Sequence, residues 1–530
     1  MTKNFRIGID TSGDRNPRDK HFNAKAMKAM GLDFLCYKYG GVRGKTIKEA
    51  CAEAVQLAKE CEENGLKFYL NVETGNFNEQ ILSAEGYDWA NREDGNHLFK
   101  VPDEILEELA KYDSFMGLQY DEMEHSQLTR NLSLTLDNPK CDMVTLGETT
   151  GMTFEEADNC VYENAKALVE SVVKHGDLKV YSEHVWPVLF HNFARAGITP
   201  AYKQMKEHWS NVWAACAMGA SLQYNRELFS CVDFWNHNTY PGHSPEEMWG
   251  NMLFAYWAGV DAMYIEATHR GIYDIVDGDC DNIVWGKHGE KLLDFSNRYI
   301  KENVRDYTFR DYEPATAIIR FDDTEWGQGE NHYCTVDDHG TPARLYWIDY
   351  LFGSKTLKTS PESEEWIKAW STITHGNVKE NSMSWNYAYP YKGMPHRSFA
   401  PAYAPIVYDD TVSKELMQTL RLAFLCGLKI SDSTYKAVCE LVKENGLTVV
   451  TSKRFAPAEF AEKYNGGTAV FADGKGKWVI TDNMAGEELK KEIAPLLGSS
   501  DEIVYKFKGG KEVIMKISED GNELTVERNF

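Results

Sequence analysis

The sequence predicts an α/β protein: a (β/α)8 TIM barrel followed by a smaller flavodoxin-like α/β domain and a C-terminal β segment. Three observations lead there. From residue 5 to about residue 310, short apolar strand patterns alternate with longer helical ones, as a parallel sheet covered by helices requires. The intervening helices carry explicit start and stop chemistry, and the connections after the third and fourth strands are long, as they are where barrel loops build a site. Past residue 311 the rhythm breaks into Trp/Tyr-rich sequence and then resumes as a compact second unit.

Taken in order, strands are expected at residues 5–10, 34–39, 67–72, 115–120, 178–182, 231–235 and 262–265. The eighth falls at 283–286 or at 315–321, and the latter segment could instead open the second domain. Thr46 with Glu49, Thr153 with Glu156 and Ser244 with Glu247 have the spacing of capping boxes, in which a hydroxyl and a carboxylate satisfy free N–H groups reciprocally. Gly65, Gly176 and Gly259 follow as stops. The expected domains are residues 1–310 for the barrel, 311–400 for an aromatic-rich connector, 401–500 for the flavodoxin-like unit and 501–530 for β-hairpins. Within the connector, 343–352 and 364–372 read as short helices. The third unit has strands at 405–408, 421–425, 447–451, 468–471 and 477–480, and a helix at 433–445 stopped by Gly446. It has no GxGxxG turn, so no dinucleotide is implied.

With 43% apolar residues in 530 and no biased tract, the chain has ample material for a core. A formal charge of −24 without a basic stripe opposes nucleic acid and anionic lipid as partners. Eleven cysteines without a CxxC pair fit reduced thiols. The opening residues run straight into a strand and leave no room for a signal, so a cytoplasmic protein is expected.

The chemistry gathers where strands end. Residues Asp121, Glu122, Glu124 and His125 follow the fourth strand, and like charges held close raise one another's pKa, the condition for a carboxylic acid that donates a proton near neutrality. Glu122 is the candidate acid. Glu266 ends the strand at 262–265, read as the seventh and facing the fourth across the pit. Two carboxylates flanking a pit are what glycosidic cleavage needs, one protonating the leaving oxygen and the other attacking carbon or activating water. Asp233 is a third acidic group, with Trp235, Asn236 and His237 beside it; Glu183, His184 and Trp186 follow the fifth strand and Glu73 the third. Sugars bind such mixtures, ring faces on indoles and hydroxyls on amides and carboxylates. Alone, each of these residues also has a structural reading: Glu124 or Asp121 as a helix cap or a partner of Arg130, Glu266 as a partner of Arg270.

Competing signals are weak. The run Gly40-Gly41-Val42-Arg43-Gly44-Lys45-Thr46 ends like a phosphate loop, but Tyr39 stands where the first glycine is required. Glu124, His125, His184 and His237 lack metal-ligand spacing, so neither a metal nor another cofactor is expected. No nucleophile-elbow pattern occurs.

The succession Phe115-Met116-Gly117-Leu118-Gln119-Tyr120-Asp121-Glu122, Ala217-Met218-Gly219-Ala220, Cys231-Val232-Asp233-Phe234-Trp235 and Tyr264-Ile265-Glu266 resembles glycoside hydrolase family 98. That resemblance implies an inverting barrel enzyme acting on galactose-containing oligosaccharides, with Glu122 as acid and Asp233 with Glu266 serving water. The carboxylate placement also resembles retaining clan A hydrolases. A barrel joined to a flavodoxin-like layer is similar to certain β-galactosidases of that clan, which implies a homo-oligomer. The expectation is therefore cleavage of an O-glycosidic bond in an oligosaccharide substrate. The alternatives are a non-catalytic carbohydrate-binding barrel and a barrel lyase or isomerase.

Overall fold

A computed structural model describes residues 5–10, 24–38, 46–73, 83–84, 87–88, 101–128, 146–147, 149, 151–205, 209–233, 242–266, 272–275, 283–322, 362, 365–378 and 397–530. Eight parallel strands close into a barrel: β1 (Arg6–Asp10), β2 (Phe34–Lys38), β3 (Lys67–Glu73), β4 (Phe115–Asp121), β5 (Lys179–His184), β6 (Thr199–Gln204), β7 (Phe229–Asp233) and β8 (Ala262–Glu266). Each strand pairs with its chain neighbours, and β1 pairs with β8 to complete the ring. Helices follow the strands: α1 (Ala24–Ala29), α2 (Ile47–Asn64), α3 (Asp103–Leu109), α4 (Phe154–Val173), α5 (Phe190–Ala196), α6 (Ser210–Gln223), α7 (Pro245–Trp257) and α8 (Lys287–Asp294), with a further short helix at Met123–Leu128 just after β4. The three expected capping boxes open α2, α4 and α7.

Two expectations are corrected. Residues 199–204 form the sixth strand, which the sequence reading passed over, so the strands expected sixth and seventh are the seventh and eighth. Neither candidate for the eighth strand belongs to the barrel: Ile283–Trp285 pairs with Tyr273–Ile275 in a separate ribbon, and Thr316–Arg320 lies in the second sheet. The helix expected at 343–352 lies outside the described residues.

Strand periodicity decides what fills the barrel. Phe34, Cys36, Tyr69, Tyr181, Ala201, Phe229, Cys231, Ala262 and Tyr264 form a core of their own, apart from the helix-facing one. Phe34 on β2 meets Phe229 on β7 at 5.7 Å between ring centroids, and Tyr69 on β3 stacks on Tyr181 of β5 at 5.0 Å, contacts between non-adjacent strands that only the interior allows. Side chains two residues apart share a face of a strand. Two residues beyond this apolar plug, at the C-terminal end, stand Asn71, Glu183, Lys203, Asp233 and Glu266, so the mouth of the barrel is a polar layer on an aromatic floor.

Strand β4 joins this pattern through a bulge. Phe68 pairs with Phe115 but Leu70 with Leu118, so β4 has one residue more than its partner there. Gly117 takes φ +132°, and a Cβ on it would lie 1.9 Å from the Lys179 carbonyl oxygen. The extra residue changes the parity of the strand end and turns Gln119 and Asp121 toward Glu183 and Asn71.

The second sheet runs β10-β9-β11-β12-β14-β13, with β9 (Thr316–Arg320), β10 (Pro405–Asp409), β11 (Leu422–Cys426), β12 (Thr448–Thr451), β13 (Thr468–Asp473) and β14 (Gly476–Thr481). Its first four strands follow the 2-1-3-4 order of a flavodoxin-like layer, and a hairpin supplies the far edge. A third sheet joins Ala402–Tyr403 to β15 (Glu502–Phe507), β16 (Lys511–Ile517) and β17 (Leu524–Asn529). Helix α6 is buried on every side between barrel and second sheet, and Gly219 lets it touch β10, where a Cβ would lie 1.6 Å from the Val407 carbonyl oxygen.

Because the bulge sets which β4 side chains enter the barrel, Gly117→Ala should lower unfolding free energy by about 2–4 kcal/mol, read from urea midpoints. An unchanged midpoint would mean that β4 runs without the bulge.

Candidate active site

The polar mouth converges on one atom. The Lys203 Nζ on β6 lies 3.1 Å from Glu122 Oε1, 2.7 Å from Glu183 Oε1, 3.1 Å from Asp233 Oδ2 and 3.0 Å from Glu266 Oε2. The lysine side chain is 3% exposed, and all four carboxylates are buried. Burial alone would push the ammonium down; the charges of Asp233, Glu183, Glu266 and Glu122 override it and hold the group well above its ordinary value.

Glu122 reaches this point by an unusual backbone. It follows β4 with φ +50°, a left-handed conformation that costs a non-glycine residue roughly 1–2 kcal/mol. Its N–H donates to the Glu183 carbonyl at 2.9 Å, which extends the β4–β5 ladder one residue past the strand and fixes the turn. Glu183 accepts from Gln119 Nε2 at 2.8 Å and from the Tyr264 hydroxyl. Full burial, then the charges of Asp121 and Glu266, push the Glu183 carboxyl well above the usual range. Cys231 donates to Glu266 Oε2 at 3.4 Å, and burial keeps that thiol protonated.

Of the residues the sequence singled out, Glu122, Glu183, Asp233 and Glu266 meet here. Asp121 lies in register with Glu73 on one side and Glu183 on the other, and accepts from Asn71 Nδ2 at 3.5 Å. Glu73 ends β3, and the placement of its side chain lies outside what is described. Glu124 sits behind the turn: its Oε1 accepts from the N–H groups of Val185 at 2.7 Å and Trp186 at 3.1 Å, tying down the chain that leaves β5. Burial, then the charge of Glu122, raises the Glu124 carboxyl. His184 points away from the cluster, stacked on Phe190 at 4.0 Å with its Nδ1 3.2 Å from the Val188 carbonyl oxygen. Trp186 is fully buried. Trp235, Asn236 and His237 lie outside the described residues.

Strand count also moves the carboxylates. Glu266 belongs to β8, diametrically opposite β4 in an eight-stranded ring, and Asp233 ends β7. Lys203, at the centre of the cluster, is the residue that the sequence reading missed, although period-two continuation from Ala201 pointed to it. Among the described residues, Glu183, Cys231 and Glu266 bring possible metal-ligand atoms within 4.8 Å of one another, but the Lys203 ammonium already stands against both glutamates.

No family model matches the chain, so the resemblance to glycoside hydrolase family 98 stays a resemblance. No curated protein matches it by sequence. Among solved structures it is similar to an exo-β-1,4-mannosidase from an Opitutaceae bacterium, at 10% identity and TM-score 0.49 over 93% of this chain and 95% of that one. It is also similar to an exo-carrageenase GH42 from Bacteroides ovatus, at 11% identity and TM-score 0.46 over 94% of this chain and 74% of that one. A third is GH5_18 from Bifidobacterium longum subsp. longum, at 12% identity and TM-score 0.43 over 80% and 97%. Identities and scores this low leave the functional reading to the barrel mouth itself. Among the described residues no helix is long and apolar enough to cross a membrane.

Burial depresses the His184 imidazole to about 3, with the bond to the Val188 carbonyl opposing. Its folded value is below the unfolded ~6.5, so the unfolded state takes the proton first and stability is lost as pH falls from ~6.5 toward the folded value. Between pH 6.5 and 5 this one group should remove roughly 2 kcal/mol. Urea midpoints at both values should fall less for His184→Leu than for the parent; parallel falls would sink the assignment.

Proposed function

We propose that the chain is a glycoside hydrolase that cleaves an O-glycosidic bond of an oligosaccharide at the C-terminal mouth of its barrel. One observation carries this reading: Glu122, Asp233 and Glu266, from three different strand ends, converge within 3.1 Å of a single point. Glu122 gives its proton to the glycosidic oxygen as the bond to the anomeric carbon breaks. A Glu266 oxygen attacks that carbon to form an ester, and Glu122 then deprotonates the water that releases the sugar. Asp233 stands beside the anomeric carbon as a second carboxylate and a hydroxyl acceptor.

Stereochemistry follows from reach. Two carboxylates that bond one ammonium at 3.1 and 3.0 Å cannot have their nearest oxygens further apart than those two distances laid end to end. Nearest oxygens this close are compatible with the ~5–5.5 Å carboxyl spacing of retaining enzymes, whereas inverting enzymes hold the two groups ~6.5–9.5 Å apart; the anomeric configuration of the first product decides between them. Family 98 layout puts galactose-containing oligosaccharides first among substrates to try.

The test is digestion of a panel of defined oligosaccharides and aryl glycosides, read by mass spectrometry, with Glu122→Gln alongside. We expect kcat to fall ~10²- to 10⁴-fold in the variant, least for aryl glycosides whose leaving groups need no proton. A 2-deoxy-2-fluoro glycoside with an activated leaving group should label Glu266, and peptide mapping that found the label on Asp233 would exchange the two roles. Ligand binding without turnover by the parent would replace this reading with that of a carbohydrate-binding barrel.

A further inference from the structure

Lys203 is more than a counter-ion, because its geometry ties it to every acidic group the proposed reaction uses. Its ammonium touches the acid Glu122, the nucleophile Glu266 and the accessory Asp233, and also Glu183, which the reaction does not use. The groups facing it come from four elements: Glu122 after β4, Glu183 on β5, Asp233 and Cys231 on β7 and Glu266 on β8, with the Tyr264 hydroxyl bonded to Glu183. Asp121 and Glu124 add negative charge one shell further out, through Glu183 and Glu122. Burial keeps the Cys231 thiol and the Tyr264 phenol protonated, so Lys203 is the fixed positive charge of the described mouth.

Resting on the reading of the site as a glycosidase, we propose that Lys203 is its positioning and charge-setting residue: a built-in cation that holds Glu266 and Asp233 ionised and aimed while Glu122 works as the acid. An ammonium within hydrogen-bond reach favours the charged form of a carboxylate and lowers its pKa. Lys203 therefore sets how far toward acid the nucleophile stays ionised and how far toward base Glu122 keeps its proton. It does so without touching substrate. The same contacts keep the amine protonated, which separates this lysine from one that forms a Schiff base, because that chemistry needs the neutral amine.

The decisive measurement is the pH dependence of kcat/KM for a cleaved aryl glycoside in Lys203→Met and Lys203→Arg. Removing the cation raises the pKa of both carboxylates, so in Lys203→Met both limbs of the bell should move to higher pH by about one unit or more, with a rate loss of ~10²-fold or greater. Lys203→Arg, which keeps the charge, should hold the limbs near those of the parent even if its rate drops. Should Lys203→Met fail to fold, Lys203→Gln, which keeps a polar side chain at that point without the charge, is read the same way. A folded methionine variant that is slow but has unmoved limbs would reduce Lys203 to a structural residue and overturn the proposal. So would preferential reductive labelling of Lys203 over surface lysines by glycolaldehyde and cyanoborohydride. If the parent cleaves no glycoside, the glycosidase reading fails by itself, and Lys203 is then judged by infrared titration of the side-chain carboxyl groups in the parent and in Lys203→Met or Lys203→Gln. Unchanged titration there would overturn the charge-setting role independently.

Discussion

The mouth of this barrel depends on one buried ammonium. Taking Lys203 and four carboxylates out of water costs several kcal/mol for each ion, and only mutual contact at 2.7 to 3.1 Å offsets it. Neither side of the arrangement is tolerable without the other. The consequence is mechanical as well as electrostatic, because the partners leave from β4, β5, β7 and β8 while the lysine stands on β6. Five of the eight strand ends are thus tied at one point, and a closed ring makes that possible by turning alternate side chains of every strand toward a common axis. Below the tie, the buried rings of Phe34, Tyr69, Tyr181, Phe229 and Tyr264 fill the bore, and a floor of such low polarity strengthens the charges above it.

Local strain is spent where it aims a side chain. Glu122 lies outside the strand alternation, and its left-handed backbone, locked to the Glu183 carbonyl, turns the carboxylate back over the pit. Behind it Glu124 holds the chain that leaves β5 by two backbone amides, and that segment is met from the other side by the second sheet, where Asp322, just past β9, accepts from the Leu189 N–H at 2.9 Å. Asn211 of α6 bonds both the N–H and the carbonyl of Ala400. The flavodoxin-like layer therefore braces the barrel wall that presents Glu183, and the C-terminal end of its strand β9 faces the barrel chain.

Much of this was legible in the sequence and some was not, for identifiable reasons. Alternation of strand and helix patterns, the three capping boxes and the second-sheet strands from residue 405 onward follow from local chemistry, and each fell within a residue or two of its place. Strand β6 escaped because Thr-Pro-Ala-Tyr-Lys-Gln shows no apolar run. Its proline precedes the first residue paired with β7, where a missing N–H does least harm, and its lysine is buried only because four distant carboxylates receive it. That one omission displaced Asp233 and Glu266 by a strand each and hid Lys203. The bulge at Gly117 was equally silent, since a glycine in a strand marks close approach of a neighbour without saying whose. Glu122, Glu183, Asp233 and Glu266 were legible as a cluster because acidic residues at strand ends repeat; Glu124 shared that signal and His184 lay beside it, yet the one ties the turn and the other packs on a helix, a distinction made only by which way each side chain points.

A monovalent cation in this position has a chemical consequence that a divalent metal would lack. Glu183, Cys231 and Glu266 are close enough to be ligands, and an ion of charge two would balance their neighbourhood and strip the thiol of its proton. The ammonium carries one charge against four carboxyls, so the cluster stays under-compensated and full ionisation of all four is opposed by burial and mutual repulsion. A proton is retained near neutrality, as the raised carboxyl of Glu183 already expresses. General acid catalysis needs a carboxylic acid that is still an acid at working pH, beside another that is not. Crowding supplies the first condition at Glu183, contact with the lysine favours the second at Glu266 and Asp233, and the proposed acid role of Glu122 draws on the same crowding. A tethered ammonium reaches both from residues of the chain alone, at a position fixed by the register of β6.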